Sequence, residues 1–243
     1  MRYIGCSGWY YDDWKERFYP EKLPKKDWLG FYARRFNTVE VNATFYRFPT
    51  EKLMKGWHEK ELPKGFKFTL KGNKTITHIK KLKEARELVD KFYKLSNILK
   101  ERLGAILWQF PPSLKIDLER LERFCKDLDP GFENVIEFRH KSWFVPEAYK
   151  ILKKNKISYC IVSAPKLPET AIVTSKIAYV RFHGKDSWYD YEYSKKEMRS
   201  WAKVISKLKA KKTYIYFNND YYAYAVKNAL QLKNELEKIK CTD

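Results

Sequence analysis

Eight short apolar runs rich in β-forming residues recur along the chain. Between most of them the apolar spacing changes from two to three and four residues. The runs are YIGCSGW (3–9), TVEVNATFY (38–46), FKFTLKG (66–72) and LGAILWQFP (103–111), then NVIEFRH (134–140), SYCIVSA (158–164), IAYVRFHG (177–184) and KTYIYFNN (212–219). Helical periodicity marks KDWLGFYARRF, DLERLERFCKDL, PEAYKILKKN, SKKEMRSWAKVISKLK and YAVKNALQLKNELEKI. The longest predicted helix is LKEARELVDKFYKLSNILKERL, with Leu88, Phe92, Leu95 and Leu99 on one stripe. Ser194 and Glu197 have the spacing of a capping box, and Pro146 stands where a first helical turn tolerates proline. Residues 50–62 have room for a short helix only, and 165–176, with two prolines, predict no regular helix.

Strands alternating with helices imply parallel strands joined by right-handed crossovers. Eight such units in 243 residues predict a (β/α)8 TIM-type barrel, one domain over residues 1–243, with an irregular connection between strands 6 and 7. A doubly wound sheet is the alternative. Its first turn usually carries G-x-G-x-x-G, which GCSGWYYDDW does not match.

In a barrel one parity of each strand meets the helices and the other points inward. Strand two then places Val39, Val41, Ala43 and Phe45 outward, and Glu40, Asn42 and Thr44 inward. The same sorting turns inward Ser7 and Trp9, Thr69 and Lys71, Leu107 and Gln109, Glu137 and Arg139, Ser163, Arg181 and His183, and Tyr216 and Asn218. These polar groups converge towards the C-terminal mouth, where barrel active sites lie. One outcome is a salt-bridged plug that merely fills the barrel. A purely structural core, however, is more simply filled by aliphatic residues, so a ligand site is the leading expectation.

Charge adds a constraint. Fifty Lys and Arg against thirty Asp and Glu give a net charge of +20, a balance that favours anionic partners. Many of the cations, such as Arg34, Arg35, Lys100, Arg102, Lys153, Lys154, Lys156, Lys209, Lys211 and Lys212, precede strands. There they lie at helix C-termini on the bottom face and complement the helix dipoles. Lys71, Lys74, Lys141 and Lys185 fall on the top face. Cys6, Cys125, Cys160 and Cys241 are scattered with no CxxC pair, so buried thiols in a reducing compartment are expected, with a disulfide left open for a hyperthermophilic source. No apolar run approaches the roughly 20 residues of a membrane span, and the first strand leaves no room for a leader, so the expected location is the cytoplasm with no membrane partner.

At the mouth, Glu40, Glu137 and His183 are candidate proton carriers, and Lys71 is a base or imine-forming amine if desolvated. Arg139, Arg181 and Lys71 suit the clamping of a phosphate or carboxylate. Asn42, Gln109 and Asn218 add polar contacts, and Trp9, Tyr46, Trp143 and Trp188 add rings for stacking, unless they are ordinary core aromatics. A divalent ion on His183, Glu40 and Glu137 is conceivable, but four histidines with no H-x-H or H-E-x-x-H do not favour a metal, and the sequence leaves the cofactor unknown. No Walker loop or G-x-S-x-G elbow occurs. The loop GKDSWYDYEYS after strand seven reads as a lid or as a packed surface loop.

The leading expectation is therefore a hydrolase or lyase with a cationic mouth, acting on a phosphorylated or other anionic small molecule. A non-enzymatic nucleic-acid-binding protein and a glycoside-type hydrolase with paired Glu40 and Glu137 are the alternatives. The string GCSGWYYDDW, FYP, VEVNATFYRFP, KGFKFTLKGNKTITH, LGAILWQFPPS, EFRHKSW, YVRFHG and YIYFNND resembles, in order and along nearly the whole chain, the YecE-like family, number seventy-two of the domain-of-unknown-function series. The resemblance implies a TIM-type barrel and no particular reaction. The family's polar motif positions fall on Glu40, Asn42, Lys71, Gln109, Glu137, Arg139, Arg181, His183 and Asn218.

Overall fold

The structure, a computed structural model, describes residues 1–240. Eight parallel strands form a nearly closed (β/α)8 barrel: β1 (Arg2–Cys6), β2 (Thr38–Val41), β3 (Lys67–Lys71), β4 (Leu103–Gln109), β5 (Asn134–Glu137), β6 (Ser158–Ser163), β7 (Ile177–Phe182) and β8 (Lys212–Phe217). Strands consecutive in sequence are neighbours in the sheet, and β8 returns beside β1. The helices are α1 (Trp28–Ala33), α2 (Ala43–Tyr46), α3 (Glu51–Glu59), α4 (Arg86–Ser96), α5 (Leu118–Asp127), α6 (Pro146–Lys154), α7 (Lys195–Ser206) and α8 (Tyr224–Lys240). The capping box forms on Ser194 and Glu197, and Pro146 opens α6. No helix joins β6 to β7. Thr174 instead pins that connection to the start of β6, accepting from the Tyr159 amide at 2.8 Å and donating to the Ile157 carbonyl at 2.6 Å.

The seam between β1 and β2 is closed differently from the other edges. A single backbone bridge joins Ser7 to Glu40. Below it, side chains complete the ladder. Asn37 accepts from the Ile4 amide and donates to the Arg2 carbonyl, both at 2.9 Å. The Tyr32 phenol, from α1, accepts from the Cys6 amide at 2.7 Å and donates to the Thr38 carbonyl at 3.0 Å. Gly5 lies between them. A Cβ there would stand 2.1 Å from the Thr38 carbonyl oxygen, so only glycine lets the two strands approach this closely.

The outward parity forms the core under the helices, with Ile4, Val39, Phe68, Trp108, Ile136, Phe182 and Phe217 all buried. The inward parity of the lower barrel holds aromatic rings as well as aliphatic side chains. Tyr3 stacks on Tyr214 at 4.9 Å and 13°, and Tyr214 lies parallel to Tyr216 at 6.5 Å. These rings fill volume as a hydrophobic core does, and their hydroxyls find partners, as buried hydroxyls must. Tyr216 meets the hydroxyls of Thr38 and Thr69 at 2.7 Å each.

Two expectations from the apolar pattern need correction. The second strand stops at Val41, and residues 43–46 form α2, so Thr44 is on a helix and not on the inward strand face. Its hydroxyl reaches the carbonyls of Val41 and Lys71, Ala43 is exposed, and Phe45 is half-buried. Four residues of one helical turn after a strand keep the strand's parity well enough to imitate its continuation. The longest helix is α8, with seventeen residues, because α4 ends at Ser96 and a 3-10 stretch with Lys100 at φ 48° follows. The face that α4 buries is Val89, Phe92, Tyr93 and Ser96, one step round from the predicted stripe, with Leu88 and Leu95 only half-buried. Cys6, Cys125 and Cys160 are buried free thiols, and Cys241 lies outside the described residues. Among the described residues no helix is long and apolar enough to cross a membrane.

Candidate active site at the mouth of the barrel

Arg181, on β7, is the centre of the mouth and is fully buried. One terminal nitrogen, Nη1, donates to Glu137 Oε2 at 2.6 Å. The other, Nη2, donates to Glu40 Oε1 at 2.5 Å and to Asn218 Oδ1 at 3.1 Å. Glu40 also accepts from Ser7 Oγ at 2.6 Å and from the Tyr179 hydroxyl. Glu137 accepts from Arg139 at 2.9 Å and from Gln109 at 3.2 Å. Burial alone would raise the Glu137 carboxyl, but Arg181 and then Arg139 outweigh it and hold the group well below the usual carboxylate range. Two carboxylates and two guanidiniums thus neutralise one another. Arg181 has its terminal nitrogens fully engaged and does not face a ligand as a clamp.

His183 completes this cluster. Its Nε2 lies 3.1 Å from Arg139 Nη1 and 3.2 Å from Arg181 Nη1. It also lies 3.2 Å from the acceptor Glu137 Oε1, while Nδ1 is buried without a partner, so two arginine donors and one carboxylate compete for Nε2. Burial, followed by the two arginines, lowers the ring to about 3. A histidine held neutral by burial and two neighbouring cations is a poor carrier of protons near neutrality. The Arg181 guanidinium stands between the Glu40 and Glu137 carboxylates, where a shared metal ion would have to sit. Among the described residues no group of three or more His, Cys, Asp or Glu side chains could hold a metal ion.

Above the cluster opens a cleft of about 810 Å³, walled by Tyr46, Tyr189, Tyr221 and Tyr222, with Lys71 and Asp220 in it and the exposed carboxylates Asp12 and Asp13 at its edge. Asn42 and Asn218 also face it. Lys71 is the last residue of β3. Its amine sits 4.2 Å from the centre of the Phe45 ring and has no carboxylate partner among the described residues. Burial, reinforced by Arg181, lowers it to about 7. Asp220, three residues beyond the end of β8, accepts from Asn218 Nδ2 at 2.7 Å through Oδ2, while its Oδ1 is buried without a partner. Burial raises this carboxyl to about 8, against the pull of Asn218 and Tyr11. Asn218 therefore links Asp220 to Arg181. Asp220 escaped the sorting by strand parity because it follows the strand. Its signal was position, the third polar residue of the NND run at the C-terminal end of a barrel strand.

The loop after β7 covers one side. Trp188 lies over the Arg139 guanidinium at 4.2 Å and over the His183 ring at 5.4 Å, and Tyr189 accepts from Arg139 Nη2 at 3.2 Å. Gly184 turns the chain at φ 117°, where a Cβ would meet the Ser187 carbonyl at 2.0 Å. Two of the predicted stacking rings lie elsewhere. Trp143 is fully buried under the helices, stacked on Phe138 at 5.0 Å with its indole N–H on the Leu114 carbonyl at 2.7 Å, because the 3-10 turn Lys141–Trp143 folds back over β5. Trp9 packs edge-on against Trp57 at 6.0 Å and does not line the cleft. Tyr46 is exposed at the cleft rim.

Comparison with known proteins agrees with this architecture. The chain matches the family model described as "Protein of unknown function DUF72" over residues 3–242. It is 28% identical to UPF0759 protein YunF of Bacillus subtilis (strain 168), over 98% of this chain and 95% of that protein. It is also 28% identical to UPF0759 protein YecE of Escherichia coli (strain K12), over 76% of this chain and 75% of that protein. A solved DUF72 family protein (TM1631) of Thermotoga maritima MSB8 superposes with a TM-score of 0.89 at 35% identity, covering 98% of this chain and 99% of the other. This barrel, with its buried arginine between two glutamates, therefore belongs to the DUF72 family.

Proposed function

We propose that the chain is an enzyme of the lyase type that acts on a carbonyl compound in the tyrosine-walled cleft, with Lys71 as the imine-forming amine. One observation carries this reading: Lys71 opens onto the cleft with no carboxylate partner, and its amine is lowered to about 7, so a large share is unprotonated near neutrality. Asp220, raised to about 8, is still protonated there and faces the same cleft. A neutral amine and a neutral acid lining one cleft are what carbinolamine chemistry requires. The Lys71 lone pair adds to the carbonyl carbon, and the π pair moves to oxygen, which takes the Asp220 proton. The carboxylate then removes a proton from nitrogen and returns it to the hydroxyl, which departs as water. The resulting iminium accepts the electron pair of a bond broken at the adjacent carbon.

The arginines are committed to Glu40 and Glu137 and the Lys71 amine reacts uncharged, so with Asp12 and Asp13 in the lining a carbonyl compound without an acidic group fits the cleft best. Against the paired-carboxylate glycosidase reading, Arg181 donates to both Glu40 and Glu137 and lies between them. Reductive trapping tests the proposal. Incubation with pyruvate, glycolaldehyde or dihydroxyacetone phosphate and cyanoborohydride at pH 7.5 is expected to leave the reduced adduct on Lys71 ahead of all other lysines, and Lys71→Arg should abolish it. Labelling spread over surface lysines, with Lys71 untouched, would sink the idea.

A further inference from the structure

The opposite end of the barrel holds a second cavity, of about 340 Å³, outside the β1–β2 seam and between the C-terminal ends of α1 and α8. Five cations line it, Arg2, Arg34, Arg35, Lys64 and Lys233, against one carboxylate, Glu237. None of these five has an ion-pair partner among the described residues. The Arg34 and Arg35 guanidiniums rest over the Phe31 ring at 5.3 and 4.0 Å, which positions them without using their N–H donors. Arg2 shares the outward parity of Ile4, and its Nη1 is buried with no hydrogen-bond partner.

The helix dipole accounts for basic residues at the end of α1. It does not account for Arg2, which lies on a strand and leaves a charged donor buried and unpaired. Such a donor is expensive to keep unless something accepts from it. We propose that this cavity is a second binding site, distinct from the mouth, for a multiply charged phosphate of diphosphate or triphosphate size, free or carried by a nucleotide. Five positive charges against one negative match a ligand of three to four negative charges. Arginine donors offer the forked geometry that phosphate oxygens accept. Asn37, which ties β1 to β2, also lines the cavity. Occupancy therefore braces the seam as well as neutralising the cluster.

Calorimetric titration of the whole chain with sodium pyrophosphate, tripolyphosphate and ADP at low salt tests the site. Saturable binding of pyrophosphate or tripolyphosphate is expected, weakened at least about tenfold in Arg2→Met and in Arg35→Met, and unchanged in Lys71→Met, which separates this site from the mouth. Glu237→Gln should tighten it. ADP bound more tightly than pyrophosphate identifies a nucleotide as the carrier, and equal or weaker binding identifies the free polyphosphate. Should Arg2→Met fail to fold, the exposed Arg35 decides alone. Absence of saturable binding, or equal affinity in wild type and Arg35→Met, would overturn the proposal.

Discussion

Arg181 carries more of the structure than a ligand clamp would. Removing one partner of a buried ion cluster leaves the others uncompensated, at a cost of about 3–5 kcal/mol. Arg181→Met should therefore lower the unfolding free energy from urea titration by that order, and adding Glu40→Gln and Glu137→Gln should recover much of the loss. A single variant as stable as wild type would show that the carboxylates reorganise. Lys71 and Asp220 give a second prediction. Lys71 is lowered to about 7, so its deprotonated form gains as pH rises through 7. Asp220 is raised to about 8, so its protonated form is lost as pH rises through 8. Acetylation of Lys71 by acetic anhydride should then reach half its maximal rate near pH 7, whereas an ordinary lysine would do so above 10. Turnover, once a substrate is found, should peak between 7 and 8, and Asp220→Asn should reduce kcat by about 10²–10⁴-fold, the usual worth of a positioned acid. The charged residues of this cluster were legible from strand parity, because inward polar positions on β2, β5 and β7 stand out against apolar faces. Asp220 was not, since parity ends with the strand. Nor was the state of Arg181, since a sequence shows which charges share a mouth but not which oxygen each nitrogen meets.

At the scale of elements, eight strands and the bare β6–β7 connection could be read directly, because period-two and period-four patterns alternate with clear proline punctuation. The errors fall where one pattern imitates another. α2 is too short to break strand parity, and the aromatic-rich turn after β5 offers Trp143 to either side of the barrel wall. The loop over Arg139 depends on the left-handed turn at Gly184. Gly184→Ala forces a Cβ into the Ser187 carbonyl, so the loop must shift. Trp188 fluorescence should then become more accessible to acrylamide while the far-ultraviolet spectrum of the barrel stays the same. Quenching equal to wild type would mean that the loop tolerates the added atom.

For the whole molecule, opposing titrations set the response to acid. His183 is lowered to about 3 and His78 to about 4, chiefly by burial, so their contributions are present above the unfolded value near 6.5 and fade as pH falls towards the native values. Asp220 acts in the opposite sense. Its raised value makes its contribution complete below the unfolded range near 4 and progressively lost as pH rises through 8. Between pH 6.5 and 4 two histidines therefore oppose one carboxyl, and stability should fall on acidification, by less than the about 1.4 kcal/mol per pH unit of one full proton because His78 is half-exposed and its share is screened by solvent. Asp220→Asn should make that fall steeper, and urea midpoints across the range would show it. The β1–β2 seam adds a consequence of another kind. A side-chain acceptor can rotate away from an amide without moving a strand, whereas a backbone carbonyl cannot. The amides of Ile4 and Cys6 should accordingly exchange with deuterium well before those of β7, which is laddered on both sides. The barrel then has a clasp. It opens along one line, and Ser7 and Glu40, which bridge that line at the top, are where solvent first reaches the buried charges.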